Sequence, residues 1–129
     1  MRIFGFGPEQ GRQITHYGSD FVMSRLAHPE SLHVGCMHLG PGGLVGYHPA
    51  GTFQLFIVVK GEGWVRGEGS EKVPIEAGQA AFWEPGEKHG VGTDSGMMAI
   101  VVETDLLSGN PEAIGPIAAG SEGNRSDDE

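Results

Sequence analysis

The sequence predicts an all-β fold, either a sandwich or a barrel, because short apolar or alternating runs are cut by turn residues at nearly regular intervals. Its 129 residues include 23 Gly and 8 Pro without a triplet repeat, which indicates many tight turns between short strands. Convincing helical periodicity is nearly absent. A chain of this length is expected to form one domain that buries a substantial core.

Three turns divide the predicted strands. Gly40-Pro41-Gly42-Gly43 turns the chain, Lys60-Gly61-Glu62-Gly63 is predicted to join two strands as a hairpin, and Glu84-Pro85-Gly86-Glu87 ends a strand because Pro cannot donate within a sheet. The predicted strands, in chain order, are Arg2–Phe6, Asp20–Ala27, Leu32–Leu39, Leu44–His48, Gln54–Lys60, Gly63–Gly67, Glu71–Glu76, Ala80–Trp83, His89–Thr93 and Met97–Thr104.

The strand Gln54–Lys60 differs from the others in its pattern. Gln54, Phe56 and Val58 share one face by alternation, and the residues between them form a second face that is also apolar. A strand with one solvated face would alternate more cleanly. We therefore expect one face to line the interior and the other to be covered by a second sheet or subunit, which favours a homodimer.

The periodic pattern decays after Leu107. We assign residues 1–107 to the barrel with its N-terminal strands, and residues 108–129 to a C-terminal tail. The first part of this tail is rich in Gly, Pro and Ala, and its last part is polar and charged. That composition predicts disorder towards the end of the tail.

Composition excludes several classes of function. The net charge of −9 argues against a nucleic acid partner, which would require a basic surface. Cys36 is the single cysteine, so no disulfide framework or thiolate metal cluster is expected, and it is interpreted as a small buried apolar residue. We find no signal peptide and no apolar run near the roughly 20 residues of a membrane helix. A cytoplasmic location without membrane contact is expected.

Two spaced motifs carry the most specific information. In the first, five residues separate Gly42 from His48, Ala50 and Gln54 follow, and Gly61 closes the motif. The second motif consists of Gly78, Glu84, Gly86, His89 and Thr93 at matching intervals. The run from Gly42 to Thr93 resembles the cupin superfamily, whose motifs read G-x5-H-x-H-x3-4-E-x6-G and G-x5-P-x-G-x2-H-x3-N. This resemblance implies a double-stranded β-helix, or jelly-roll, barrel. The whole chain is also similar to a group of functionally uncharacterised single-domain cupins.

The resemblance implies a divalent metal site with a reduced ligand set. In typical cupins two His and a Glu of the first motif and the His of the second bind one metal such as Fe, Mn, Ni, Cu or Zn. Here His48 and His89 occupy ligand positions, whereas Ala50 stands for a His and Gln54 for the Glu. Gln54 offers a neutral amide oxygen, and Ala50 offers no donor. A metal-free pocket with the two histidines hydrogen-bonded is the open alternative.

Three further residues are candidates for the same site. His38 precedes the Gly-Pro-Gly turn and shares a face with Val34 and Cys36, so it is a candidate replacement ligand or a substrate contact if that face is the inner one. Phe56 shares the face of Gln54 and is a candidate substrate contact. Glu84 is a candidate for compensating charge or contacting substrate, with a solvated turn position as the simpler interpretation.

The sequence therefore leaves two functions open, and it assigns no catalytic residue. One is a metal-dependent cupin enzyme of oxygenase, isomerase or lyase type acting on a small organic molecule. The other is a non-catalytic, metal-free module that binds or senses a small ligand through His48, Gln54 and His89. A dimeric scaffold with a filled barrel is a third interpretation. The fold alone does not decide among them.

Overall fold

The computed structural model describes residues 1–28, 30–69 and 71–105. Nine strands lie within these ranges: β1 Arg12–Ile14, β2 Phe21–Ala27, β3 Leu32–Leu39, β4 Leu44–Pro49, β5 Phe53–Arg66, β6 Val73–Glu76, β7 Ala80–Trp83, β8 Lys88–Gly92 and β9 Met97–Thr104. Short turns of 3-10 type occur at Pro8–Gln10 and His16–Gly18. The predicted tail, residues 108–129, lies outside the described residues. No helix in the described part of the chain is long and apolar enough to cross a membrane.

The strands form one curled antiparallel sheet, as the all-β prediction requires. Its order is β1-β2-β3-β9-β5-β8-β4, and β6 and β7 also pair with β5. A bridge between Asp20 and Leu44 brings the start of β2 to the start of β4. The bridge thus links the start of β2, the second strand of the order, to β4, the last one, which closes the sheet around an interior and agrees with the predicted jelly-roll barrel.

Strand β5 is longer than predicted, and the expected hairpin at residues 60–63 is wrong. The first part of β5 pairs with β7 and β9, and from Glu62 onward it pairs with β6 and β8. Gly61 permits this passage because its φ is +84°, and a Cβ there would overlap the carbonyl of Gly96. The glycines thus bend one continuous strand between two parts of the sheet instead of reversing the chain.

The core lies on the inner face of β5 and its neighbours. Phe56 and Val58 are 0% and 1% exposed, and they pair with Val101 and Ala99 of β9. The side chains on the other face of β5 are only half-buried within the single chain. The alternation predicted for this strand is confirmed, and it identifies the Gln54 face as the inner one.

The N-terminal segment is not the strand that was predicted at Arg2–Phe6. These residues are exposed and contain no strand; the first strand is β1, further along the chain. The carbonyl of Phe6 instead contacts the His38 ring, and the carbonyl of Gly7 accepts a hydrogen bond from Ser24. An apolar run becomes a strand only where another strand pairs with it, and within the described residues none pairs with this segment.

Candidate functional site

His48 and His89 meet across neighbouring strands. They are directly paired between β4 and β8, and their ring centroids are 4.6 Å apart at an interplanar angle of 49°. The predicted convergence of the two motifs on one place is therefore what the structure shows. Residues paired in this way project to the same face of a sheet.

A bulge in β4 makes this pairing compatible with the core. Val45 pairs with Val91, and His48 pairs with His89, so the β4 strand has one extra residue between the two pairs. Val45 and Val91 are both buried in the core cluster. Simple alternation would turn Val45 and His48 to opposite faces, and the bulge instead directs both to the same face.

His89 is buried without hydrogen-bond partners among the described residues. Its side chain is 1% exposed, neither ring nitrogen is paired, and the Trp83 ring lies with its centroid 4.7 Å away. Burial lowers the pKa of His89 from 6.5 to about 4, and the charge of His48 contributes secondarily in the same direction. The nearby backbone of Glu87 and His48 raises this pKa slightly, although neither backbone forms a hydrogen bond with the ring. His89 is consequently neutral near pH 7 and has one N–H to donate and one lone pair to offer.

His48 is half-buried and is oriented by its own strand. Its Nδ1 lies 2.6 Å from the carbonyl oxygen of Gly46, which fits an Nδ1–H that donates and an Nε2 that carries the lone pair. The Tyr17 ring stacks on the imidazole at a centroid distance of 4.3 Å and an interplanar angle of 5°. The His48 imidazole therefore contacts two rings, those of Tyr17 and His89.

Gln54 and Phe56 lie on the inner face, as expected. Gln54 is 8% exposed and pairs with Trp83 of β7, which in turn contacts His89. Phe56 is fully buried, with its ring centroid 6.2 Å from that of Trp83. Trp83 therefore contacts both His89 and the core residue Phe56, and Phe56 packs against Trp83 within the core.

His38 and Glu84 are placed elsewhere. Met37 and Leu39, the neighbours of His38, belong to the core cluster, so alternation puts His38 on the outer face. Its Nε2 lies 2.9 Å from the carbonyl oxygen of Phe6. Glu84 is exposed, and its backbone N–H donates to Oε1 of Glu87 in the turn. The sequence left the face of His38 open because both faces of β3 are apolar: Cys36, on the outer face, is fully buried as well.

Two cavities open away from the imidazole pair. One, of about 480 Å³, lies along the β5–β6 pair and is lined by Trp64 with Glu62, Glu76 and Asp94. The other, of about 280 Å³, lies at the start of β3 and the end of β9, where Nδ1 of His33 is 3.4 Å from Oε1 of Glu103. Neither cavity is lined by His48 or His89. His48, which is half-buried, is the more accessible member of the pair, since His89 is 1% exposed.

The residues present do not fit the four-ligand metal centre that the motifs imply. Ala50, 4% exposed, stands where an imidazole would be needed and carries no donor atom. Across the described ranges, no three His, Cys, Asp or Glu side chains are grouped to hold a metal ion. His48 and His89, supplemented by the neutral amide of Gln54, are what remains of that set.

Tyr17 and the role of Trp83 were missed by sequence reasoning. Trp83 was interpreted as core, and its contact with His89 of β8 joins two strands that do not pair with each other within the described residues. Tyr17 stands 31 positions before His48, outside both motifs, and its turn has no spacing signal. The one local hint is the Gly18 that follows it, which also has a positive φ.

Comparison with known proteins agrees with this architecture. The family model described as "Cupin domain" matches residues 35–104. An oxalate-binding protein of Thermotoga maritima is 32% identical over 105 residues, which cover 74% of this chain and 86% of that protein. The crystal structure of a predicted oxalate decarboxylase from T. maritima is 25% identical, with a TM-score of 0.67 and coverage of 78% and 98% of the two chains. A cupin-like protein of the same organism, 19% identical with a TM-score of 0.69 over 82% and 83% of the chains, shares the fold. The chain belongs to the cupin family.

Proposed function

We propose that this protein binds a small organic carboxylate at His48, Gln54 and His89 without a resident metal ion. The observation that carries the proposal is the pair of unpaired ring nitrogens of the buried His89, beside a second imidazole. Buried polar groups are nearly always hydrogen-bonded, and leaving one unpaired costs about 1–3 kcal/mol. A ligand with acceptor oxygens would satisfy the N–H of His89. The relative that binds oxalate supports this ligand class.

The donors of the site suit a carboxylate. A neutral imidazole donates one N–H, and the Gln54 amide supplies two more donors. A proton taken up by His48 would compensate one negative charge, and the stacked Tyr17 ring would stabilise the resulting imidazolium. Binding is then expected to be accompanied by net uptake of a proton.

Calorimetry on chelator-treated protein tests the proposal, with oxalate as the probe. The wild-type protein is expected to bind with a measurable heat that depends on the ionisation enthalpy of the buffer. His89→Leu should weaken binding at least about tenfold, because it preserves volume but removes both nitrogens. His28→Leu, at an exposed histidine outside the site, is the matched control. Equal oxalate binding by the His89 and His28 variants would reject the proposed site.

A metal-dependent enzyme is the second candidate. The contact between His48 Nδ1 and the Gly46 carbonyl favours it, because the N–H on the second ring nitrogen of a metal-binding histidine commonly donates to a backbone carbonyl. Such a site would use His48, His89 and the Gln54 amide oxygen, with water completing the coordination. Oxygenase, isomerase and lyase reactions are the classes to screen in that case.

Elemental analysis separates the two candidates. Wild-type protein, His48→Ala and the double variant Ala50→His/Gln54→Glu are incubated with Fe, Mn, Ni, Cu or Zn and then desalted. The carboxylate-binding proposal predicts metal only in the double variant, which restores the family's ligand types. Near-stoichiometric metal in the wild type that is lost in His48→Ala would instead reject the metal-free site and favour the second candidate.

We also propose that the protein is a homodimer through the outer face of β5 and β9. Leu55 pairs with Val102, and Ile57 pairs with Ile100, so four apolar side chains form one patch. All four are half-buried within a single chain. Contiguous apolar patches of this kind are typical of protein–protein contacts.

A further inference from the structure

Tyr17 has a backbone conformation that its side chain does not favour. Its φ and ψ are 59° and 31°, the left-handed region, and no other non-glycine residue in the described ranges has a positive φ. For a non-glycine residue this conformation costs about 1–2 kcal/mol. The side chain is 67% exposed, so burial of the ring does not offset that cost.

The structural consequence of this conformation is the stacking of Tyr17 on His48. The two rings are parallel within 5° at a centroid distance of 4.3 Å. The second ring on His48, that of His89, lies at 4.6 Å and is tilted by 49°. Rotation of the His48 ring about its side-chain bonds would break the parallel contact with Tyr17, so the stack restrains the orientation of the imidazole.

The backbone of the Tyr17 turn is anchored to the same strand. A Cβ at Gly46 would overlap the carbonyl of Tyr17, so the turn packs directly against the glycine backbone. The Gly46 N–H donates to Oγ of Ser19 at 2.9 Å, and the Gly46 carbonyl lies 2.6 Å from Nδ1 of His48. One glycine therefore contacts both the Tyr17 turn and the imidazole that Tyr17 covers.

We propose that Tyr17 is a positioning residue of the carboxylate site, which acts through His48. Its ring and the Gly46 carbonyl together hold the imidazole in one orientation, with Nδ1 bonded to the backbone and Nε2 directed to the ligand. Strained backbone conformations persist where the surrounding structure enforces them, and they concentrate at binding sites. This inference rests on the function proposed for His48 and His89, and it adds a residue that lies outside both cupin motifs.

The test compares three substitutions of Tyr17. Tyr17→Phe keeps the ring, whereas Tyr17→Gly and Tyr17→Asn remove it and suit the left-handed backbone, so both are expected to fold. Tyr47→Leu, at a half-exposed tyrosine of β4 that packs on Arg66, is the matched control. The first readout, made without ligand, is the tautomer of His48 from ¹⁵N resonances of its ring. The second is oxalate affinity by calorimetry.

We expect Tyr17→Phe and Tyr47→Leu to match the wild type in both readouts. Tyr17→Gly and Tyr17→Asn should lose the preference for the Nδ1–H tautomer and bind oxalate roughly tenfold more weakly, the size of effect seen when supporting residues of a site are removed. An unchanged His48 tautomer in both ring-free variants would overturn the inference. Absence of oxalate binding by the wild type would count against the proposed function alone, since the tautomer measurement requires no ligand.

Discussion

His89 has surroundings that restrict the chemistry of the site. Both ring nitrogens are unpaired among the described residues, the side chain is buried, and Trp83 and His48 flank the ring. Because its pKa is lowered to about 4, the ring is neutral near pH 7. It is thus a hydrogen-bond donor and acceptor of moderate strength, and any positive charge at the site must come from another group.

The pH dependence of stability follows from this lowered pKa. In the unfolded chain His89 would be protonated below about 6.5, whereas in the folded protein it stays neutral down to about 4. The unfolded state binds more protons in that window, so wild-type protein should lose up to about 3 kcal/mol as the pH falls from 6.5 to 4, and this term is absent above 6.5. Urea unfolding of wild type and His89→Gln at several pH values measures the difference. Parallel pH profiles for the two proteins would show that burial does not hold His89 neutral.

At the scale of elements, the bulge in β4 determines where His48 points. It lies opposite Gly90 of β8, between the Val45–Val91 and His48–His89 pairs. The Tyr17 turn fits against the bulge because residue 46 has no side chain. The strand, the bulge and the turn thus act together to present one imidazole.

Adding a methyl group at position 46 should therefore disturb the site. Gly46→Ala would place Cβ against the Tyr17 carbonyl, so we expect a loss of about 1–3 kcal/mol and weaker oxalate binding. Gly90→Ala is the matched control, since its Cβ would find its nearest neighbours at 3.5 Å, an ordinary contact. Denaturant midpoints and calorimetry of both variants provide the comparison. If Gly46→Ala is as stable as Gly90→Ala and binds oxalate equally well, the Tyr17 turn does not pack tightly against residue 46.

The strands and turns also show which parts of the fold and the site could be predicted from the sequence. The resemblance carried by the two spaced motifs predicted the barrel and the convergence of His48 and His89, and the structure adds that the two are directly paired. Gly61 was misassigned to a hairpin since a glycine with positive φ serves a turn or a bend equally well. The face of His38 was ambiguous because both faces of β3 are apolar. The contact of Tyr17 with His48 depends on long-range packing that local patterns do not encode.

At the scale of the whole molecule, the barrel has an apolar surface that a single chain leaves half-exposed. It consists of the outer residues of β5 and β9 described above, including Ile57. The net charge of −9 keeps separate molecules apart at long range, so association must come from short-range apolar burial.

Sedimentation velocity tests the proposed dimer. Wild-type protein is expected to sediment as a dimer at micromolar concentration, and Ile57→Lys as a monomer, because a charge in an apolar contact carries a desolvation cost. Val73→Lys, at a 53% exposed position on β6, should leave the dimer intact. A monomeric wild type, or a dimer that tolerates Ile57→Lys, would exclude this face as the interface.

The central claim is that the imidazole pair itself contacts the ligand. We would titrate oxalate into chelator-treated protein labelled with ¹⁵N at histidine and follow the ring resonances. The account predicts saturable shifts at His48 and His89 with no change at His28 and His33. Shifts confined to His33, which lines the 280 Å³ cavity beside Glu103, would place the ligand elsewhere and contradict the account.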